Sequence, residues 1–362
     1  MPLLNHLPNR YRNAPLALVL LAMGIAVLLR TAASDAAPIP ATSPPATLHE
    51  TGLYAAGAGL VVDPAHLAFS PQYPLWTDGA SKRRWLSLPP NTYIDASRPN
   101  AWEFPVGTRL WKEFSVGRAV ETRYIERLAD ASWRYASYVW NEAGTHATLA
   151  PVAGIRALPI EGAPNNRYTV PGEADCRACH EGAAAPVLGF SALQLSQDRD
   201  PLAPHADALS PVDLRQLVER GLVRNLPPAL LKTPPRIEAS SPHERAALGY
   251  LHGNCGHCHN ADGSPVPVEV RLAQDVSLGT QSAEQVLRSL LDAPSRFRAA
   301  GLAHDARVVT PGRPEASTLL WRIRSTNPQT QMPPLGVQAL DHEALALLER
   351  WIAERSSHPL EQ

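Results

Sequence analysis

All four cysteines of this 362-residue chain lie in two copies of one five-residue pattern, Cys176-Arg177-Ala178-Cys179-His180 and Cys255-Gly256-His257-Cys258-His259. A Cys-x-x-Cys-His run is the attachment signature of a c-type haem. The two-residue gap sets the thiols at the vinyl separation for thioether bonds, and the adjacent His meets the iron from the same side. A group of that size must be wrapped by short helices, so each motif dictates a module around itself. Rival uses of the pairs fit less well. Two Cys-x-x-Cys knuckles that share a zinc stand about 15–20 residues apart, whereas 75 residues separate these. A redox disulfide needs no following His and usually accompanies a βαβ pattern, which is absent. Two haem c groups are the expected cofactors, with His180 and His259 on the irons.

The second axial position decides what such an iron does. A thioether sulfur raises the potential and blocks small ligands, whereas an open position admits oxygen or peroxide chemistry. The chain has only three methionines, Met1, Met23 and Met332. Met332 lies in Gln331-Met332-Pro333-Pro334, 73 positions after His259, where two prolines hold an irregular loop ahead of the last helix. A lone Met is often a core filler, but this one sits where a ligand of the second iron would sit. The first motif has no such partner: the corresponding stretch reads Leu226-Pro227-Pro228, and leucine cannot ligate iron. The first iron is thus bis-His or five-coordinate, with His205, His146, His252 and His66 as candidates and His205 slightly favoured. His257, inside the second motif, is expected to face solvent.

Arg10 and Arg12 precede an apolar run at 14–29 that Arg30 closes, and small residues follow at 31–36. This pattern predicts export, with 1–37 a cleaved signal peptide or else an uncleaved membrane anchor. The expected location is periplasmic, with a proline-rich spacer at 38–47. Lys and Arg number 33 against 34 Asp and Glu, which leaves no electrostatic footprint for nucleic acid.

The 36 prolines forbid long uninterrupted helices. From 48 to 170 the texture is β-like. Runs of alternating character at Gly107–Phe114, Val120–Leu128 and Trp133–Trp140 are parted by turn signals such as Asp78-Gly79 and Pro89-Pro90-Asn91. Six tryptophans lie here (Trp76, Trp85, Trp102, Trp111, Trp133, Trp140), and they read as the core of a sandwich-like all-β domain. Lys82-Arg83-Arg84 reads as a solvated strand end, with haem propionates or an acidic partner as alternative counterparts. After 170 short capped helices are predicted, in a mainly α part made of haem modules at 171–238 and 239–356. Their caps are expected at Ser210, Ser241, Ser282 and Asp341.

Residues 240–355 resemble the cytochrome c family in its class I arrangement: helix, Cys255-x-x-Cys258-His259, a variable middle, Met332-Pro-Pro and a terminal helix. The whole chain is similar to bacterial exported dihaem c-type cytochromes with a Trp-rich N-terminal region. The segments behind that likeness are Tyr73-Pro-Leu-Trp76-Thr-Asp-Gly79-Ala, Phe104-Pro-Val-Gly107-Thr and Tyr138-Val-Trp-Asn141-Glu. The resemblance implies Cys176, Cys179, His180, Cys255, Cys258, His259 and Met332 as the haem-binding set. The expected function is electron transfer between redox partner proteins. The alternative is a dihaem enzyme of the peroxidase or oxidase type using an open first haem, and a third reading makes the β-domain a binding module.

Overall fold

A computed structural model describes residues 43–261 and 269–355. The proposed export segment, including the apolar run 14–29, and residues 38–42 of the 38–47 spacer lie outside the described residues. Among the described residues no helix is long and apolar enough to cross a membrane.

The alternating runs form one antiparallel sheet of six strands in the order β1-β2-β4-β5-β6-β7. These are β1 (Leu67–Ala68), β2 (Ser81–Ser87), β4 (Arg109–Val116), β5 (Arg118–Arg127), β6 (Trp133–Trp140) and β7 (Ala147–Leu149). Its two faces are both apolar, which is why the strands carry so many large rings. Trp85, Trp111, Tyr124, Tyr138 and Trp140 line one face and are covered by Leu48, Leu53 and Tyr54. Leu86, Leu110, Ile125 and Tyr135 line the other, under Phe190, Leu195, Leu214, Leu217 and Leu226. Each such side chain contributes about 1.5–3 kcal/mol when fully buried. Five of the six tryptophans are core residues, as expected, and Trp76 is half-buried.

A second small sheet, the hairpin β8 (Ile155–Pro159) and β9 (Arg167–Val170), pairs antiparallel. Its Tyr168 and Val170 pack with Phe114 and Val120 of the large sheet. Two further short strands, β3 (Ile94–Asp95) and β10 (Val223–Arg224), pair in parallel. That ladder ties the loop ahead of β4 to the helical half.

The helices are α1 (Glu173–His180), α2 (Leu214–Glu219), α3 (Ala229–Lys232), α4 (Pro242–Cys255), α5 (Thr280–Leu290), α6 (Thr318–Arg324) and α7 (His342–Glu354). A β-rich region followed by helices is the expected fold class. Leu248 and Leu251 of α4 pack against Leu345, Leu348, Trp351 and Ile352 of α7, with Val286 and Leu320 completing the cluster. Ser241 and Asp341 cap α4 and α7 as expected, accepting from Glu244 N and Ala344 N. Two expected caps are corrected. Asp213 caps α2 in a reciprocal pair with Gln216, while the Ser210 hydroxyl accepts from Ser70 N, 140 positions away. The N-cap of α5 is Gly279, and Ser282 instead takes Asp275 N and donates to Gln274. In both places a long-range or neighbouring-loop partner won the hydroxyl from its own helix.

Helix α4 lies against the β-rich half through two glycines. A Cβ on Gly249 would overlap the Tyr73 ring, and one on Gly253 would overlap the Tyr73 backbone. Tyr73 is 2% exposed and its hydroxyl donates to Asp200 at 3.2 Å, so the ring has nowhere to retreat. Gly249→Val is expected to destabilise the fold by about 3 kcal/mol or more, read as a lower denaturant midpoint with an unchanged slope.

Candidate functional site

Helix α1 presents the first motif. Asp175 accepts from Gly172 N at its start, and Arg177 bridges Glu173 and Glu181 along its exposed side. Cys176, Cys179 and His180 fall at i, i+3 and i+4, so they share one side. Cys176 packs on the core beneath the sheet. The His180 ring lies 5.2 Å from that of Tyr135 on β6. Its Nδ1 is 2.6 Å from Pro186 O; Nδ1–H donates there, so the lone pair is on Nε2. Burial pulls the imidazole down to about 4. His180 is therefore neutral, oriented and metal-binding in form, as a proximal ligand must be.

The second motif begins on the last residue of α4. Beyond it the chain tightens, with Cys258 N and His259 N both donating to Cys255 O. Gly256 is required at this bend, because a Cβ would come within 2.6 Å of His252 O. His259 O accepts from Leu272 N at 2.8 Å. Its Nδ1 is buried beside the Val270 backbone without a hydrogen bond of good geometry. Burial also lowers His259, which keeps the ring neutral. The four cysteines are free thiols, and burial raises all of them, Cys176 to about 11 and Cys255 to about 12. Among the described residues no three His, Cys, Asp or Glu gather as a metal cluster, so the thiols are not arranged as one tetrahedral zinc set. Paired thiols beside a single neutral imidazole, twice over, form a donor set that fits haem c.

The two motifs abut. Asn260, the residue after the second motif, donates its amide to Gly182 O at 2.7 Å and to Gly256 O and His257 O at 3.0 Å. A Cβ on Gly182 would stand 2.7 Å from His257 O. His257 is thus not a solvent-facing residue: it is half-buried against the first motif, and burial lowers it to about 4. Asn260→Ala leaves three carbonyls without this donor and is expected to cost about 1–3 kcal/mol. Chemical denaturation of protein with unchanged haem content checks it.

Met332 is reached through α6. Its N–H donates to Arg322 O at 3.0 Å, and Arg322 Nε donates to Thr330 O at 2.9 Å. The Arg322 charge also helps to lower His259, so one residue links the Met332 backbone to the surroundings of the second imidazole. Residues 291–336 match the family model of the planctomycete cytochrome C. That stretch is cytochrome c-like. It holds α6 and Met332 and neither cysteine motif. No curated protein and no solved structure is a significant match to this chain.

Beside this cytochrome c-like stretch, the expected sixth ligand of the first iron needs correcting. His205 has both ring nitrogens engaged, Nε2 with Asp341 Oδ1 at 2.8 Å and Nδ1 with Glu343 Oε2 at 3.3 Å. Its ring lies 4.7 Å from that of Trp76, tilted by 36°. It serves the start of α7. His66 Nε2 pairs with Gly52 O at 2.8 Å, His146 sits in an exposed turn with Thr145, and His252 Nδ1 accepts from Gln274 N. Leu226 is buried in the same cluster that receives Cys176. Sequence reasoning missed Pro186, Tyr135 and Asn260. Only Asn260, adjoining the motif, carried a local signal.

Proposed function

We propose that this protein is an exported dihaem c-type cytochrome that transfers electrons. Cys176 and Cys179 would hold one haem c with His180 on its iron, and Cys255 and Cys258 a second with His259 and Met332. Bound haem iron exchanges one electron at a time between two oxidation states. The protein's part is to hold the imidazoles neutral, exclude water and set the distance between the two centres. The observation that carries the reading is the Asn260 contact, which locks one attachment motif against the other and so supports electron passage within one chain. The cytochrome c-like stretch around Met332 adds to it. A periplasmic site of action, redox proteins as donor and acceptor, and export by a signal within 1–37 that is cleaved, the alternative being an anchor through 14–29, belong to the same proposal.

The test is a haem count per chain with a carbon monoxide difference spectrum of the reduced protein. Two haems and no spectral shift support two six-coordinate irons and a carrier. One haem or none overturns the reading. A specific observation favours a second reading, a peroxidase- or oxidase-type enzyme: His205 is committed elsewhere and Leu226 is apolar, which leaves the first iron without an evident sixth ligand. Carbon monoxide binding to half the iron, together with peroxide turnover, would select it.

A further inference from the structure

The inner face of the sheet is apolar at both ends and cationic in the middle. Cross-strand register places Arg84 of β2 opposite Lys112 of β4, and Lys112 opposite Arg123 of β5. Like charges directly opposite one another are destabilising, and here three stand in a row between two apolar clusters. Strand alternation also turns Lys82 inward, while Arg83 points out to Glu113 at 2.6 Å. The expected solvated strand end holds for Arg83 alone, since Arg84 is 8% exposed.

The partners present do not balance this row. Arg123 is held by Glu121 in a two-pronged pair at 2.9 and 3.0 Å, and Glu121 also accepts from the Tyr168 hydroxyl. Asp207 attracts Arg84 but takes the Ser70 hydroxyl at 2.5 Å. The Lys82 ammonium donates to Leu75 O. Lys112 has no acceptor among the described residues; its Nζ lies over the Phe114 ring at 5.0 Å. Lys112 is half-buried, and the Glu121 charge reaches it only through space, so its ammonium is held partly away from water without a bonded anion, which is unfavourable. Burial and the charges of Arg84, Lys82 and Arg123 push Lys112 far down; burial with Arg84 and Arg123 lowers Lys82 to about 8, and burial lowers Arg84 to about 10 against the pull of Asp207. The same row faces the motifs: Lys112 acts on Cys179, His180 and His257, and Arg123 on Cys176, Cys179 and His180.

We propose that Arg84 and Lys112, backed by Arg123, receive the propionate carboxylates of the haem held at Cys176 and Cys179, so that the β-sheet is the charged wall of that haem's site. This rests on the dihaem reading above. It also gives the β-rich half a role in the redox chemistry, because fixed positive charge beside an iron favours its reduced form. The sheet thereby raises the potential of the first centre.

The experiment compares wild type, Lys112→Met, Arg84→Gln and the charge-keeping Lys112→Arg by haem count and potentiometric titration. Loss of one couple in Cys176→Ala/Cys179→Ala assigns the first potential. Both neutral variants are expected to keep two haems and to shift the first couple at least tenfold toward the oxidised form, about 59 mV for one electron. The second couple stays in place and Lys112→Arg stays near wild type. Two haems with an unmoved first couple, or a shift confined to the second, overturns the proposal and leaves the dihaem reading standing. A wild-type potential that moves with added acetate at constant ionic strength overturns it in favour of a free anion on the row. A wild type lacking haem at the first motif fails both.

Discussion

Cys255→Ala together with Cys258→Ala is expected to leave one haem per chain and a markedly less stable protein. Cys255 ends α4 and packs on the cluster that joins α4 to α5, α6 and α7. A haem attached there would extend that cluster. Removing the thiols is a small truncation; losing the group they hold removes a ligand that binds only the folded state. The expected cost is about 3–5 kcal/mol, the scale of deleting a large ring from a core. Haem absorbance per chain and a thermal scan measure the two parts. Unchanged haem content in this variant would overturn the assignment of the motif.

Met332→Ala is expected to change chemistry and leave haem content alone. Axial ligands command a span of about 0.8 V in haem potential, and a thioether sits toward its upper end. Without that sulfur the second iron should bind carbon monoxide when reduced, and its potential should fall by a sizeable part of that span. The backbone anchor, Met332 N to Arg322 O, does not depend on the side chain, so the loop keeps its place. A Met332→Ala protein with wild-type potential and no carbon monoxide binding would show that the sulfur is elsewhere.

Much of this architecture was legible because it is written in local alternation. Strand β6 coincides with the run Trp133–Trp140, and β4 and β5 fall within two residues of theirs, because successive side chains of a strand turn to opposite faces and the pattern repeats every second residue. Within Val120–Leu128 the alternation sends Arg123 and Ile125 toward the motifs and Tyr124 to the outer core. The caps at Ser241 and Asp341 were legible for the same reason, being contacts of three residues' span. What failed was everything set by register or by a distant partner. Ser210 looks like a cap until Ser70 is brought to it. His205 looks like a free ligand until α7 arrives with Asp341 and Glu343. Lys112 and Arg123 are ordinary polar positions of their own strands, and their alignment with Arg84 exists only once three strands are laid side by side.

The core beneath the sheet joins Leu86, Leu110 and Ile125 to Phe190, Leu214 and Leu226, and this has a consequence for how the chain matures. The strands of the large sheet are complete by Leu149, yet one apolar face stays bare until residues past 187 fold over it. Contacts of such long sequence separation form slowly, and a bare sheet face invites association with other chains. Cys176 of α1 packs at that seam and stays half-buried in the folded chain, so a group attached there would meet the sheet's apolar face before residues past 187 have finished covering it.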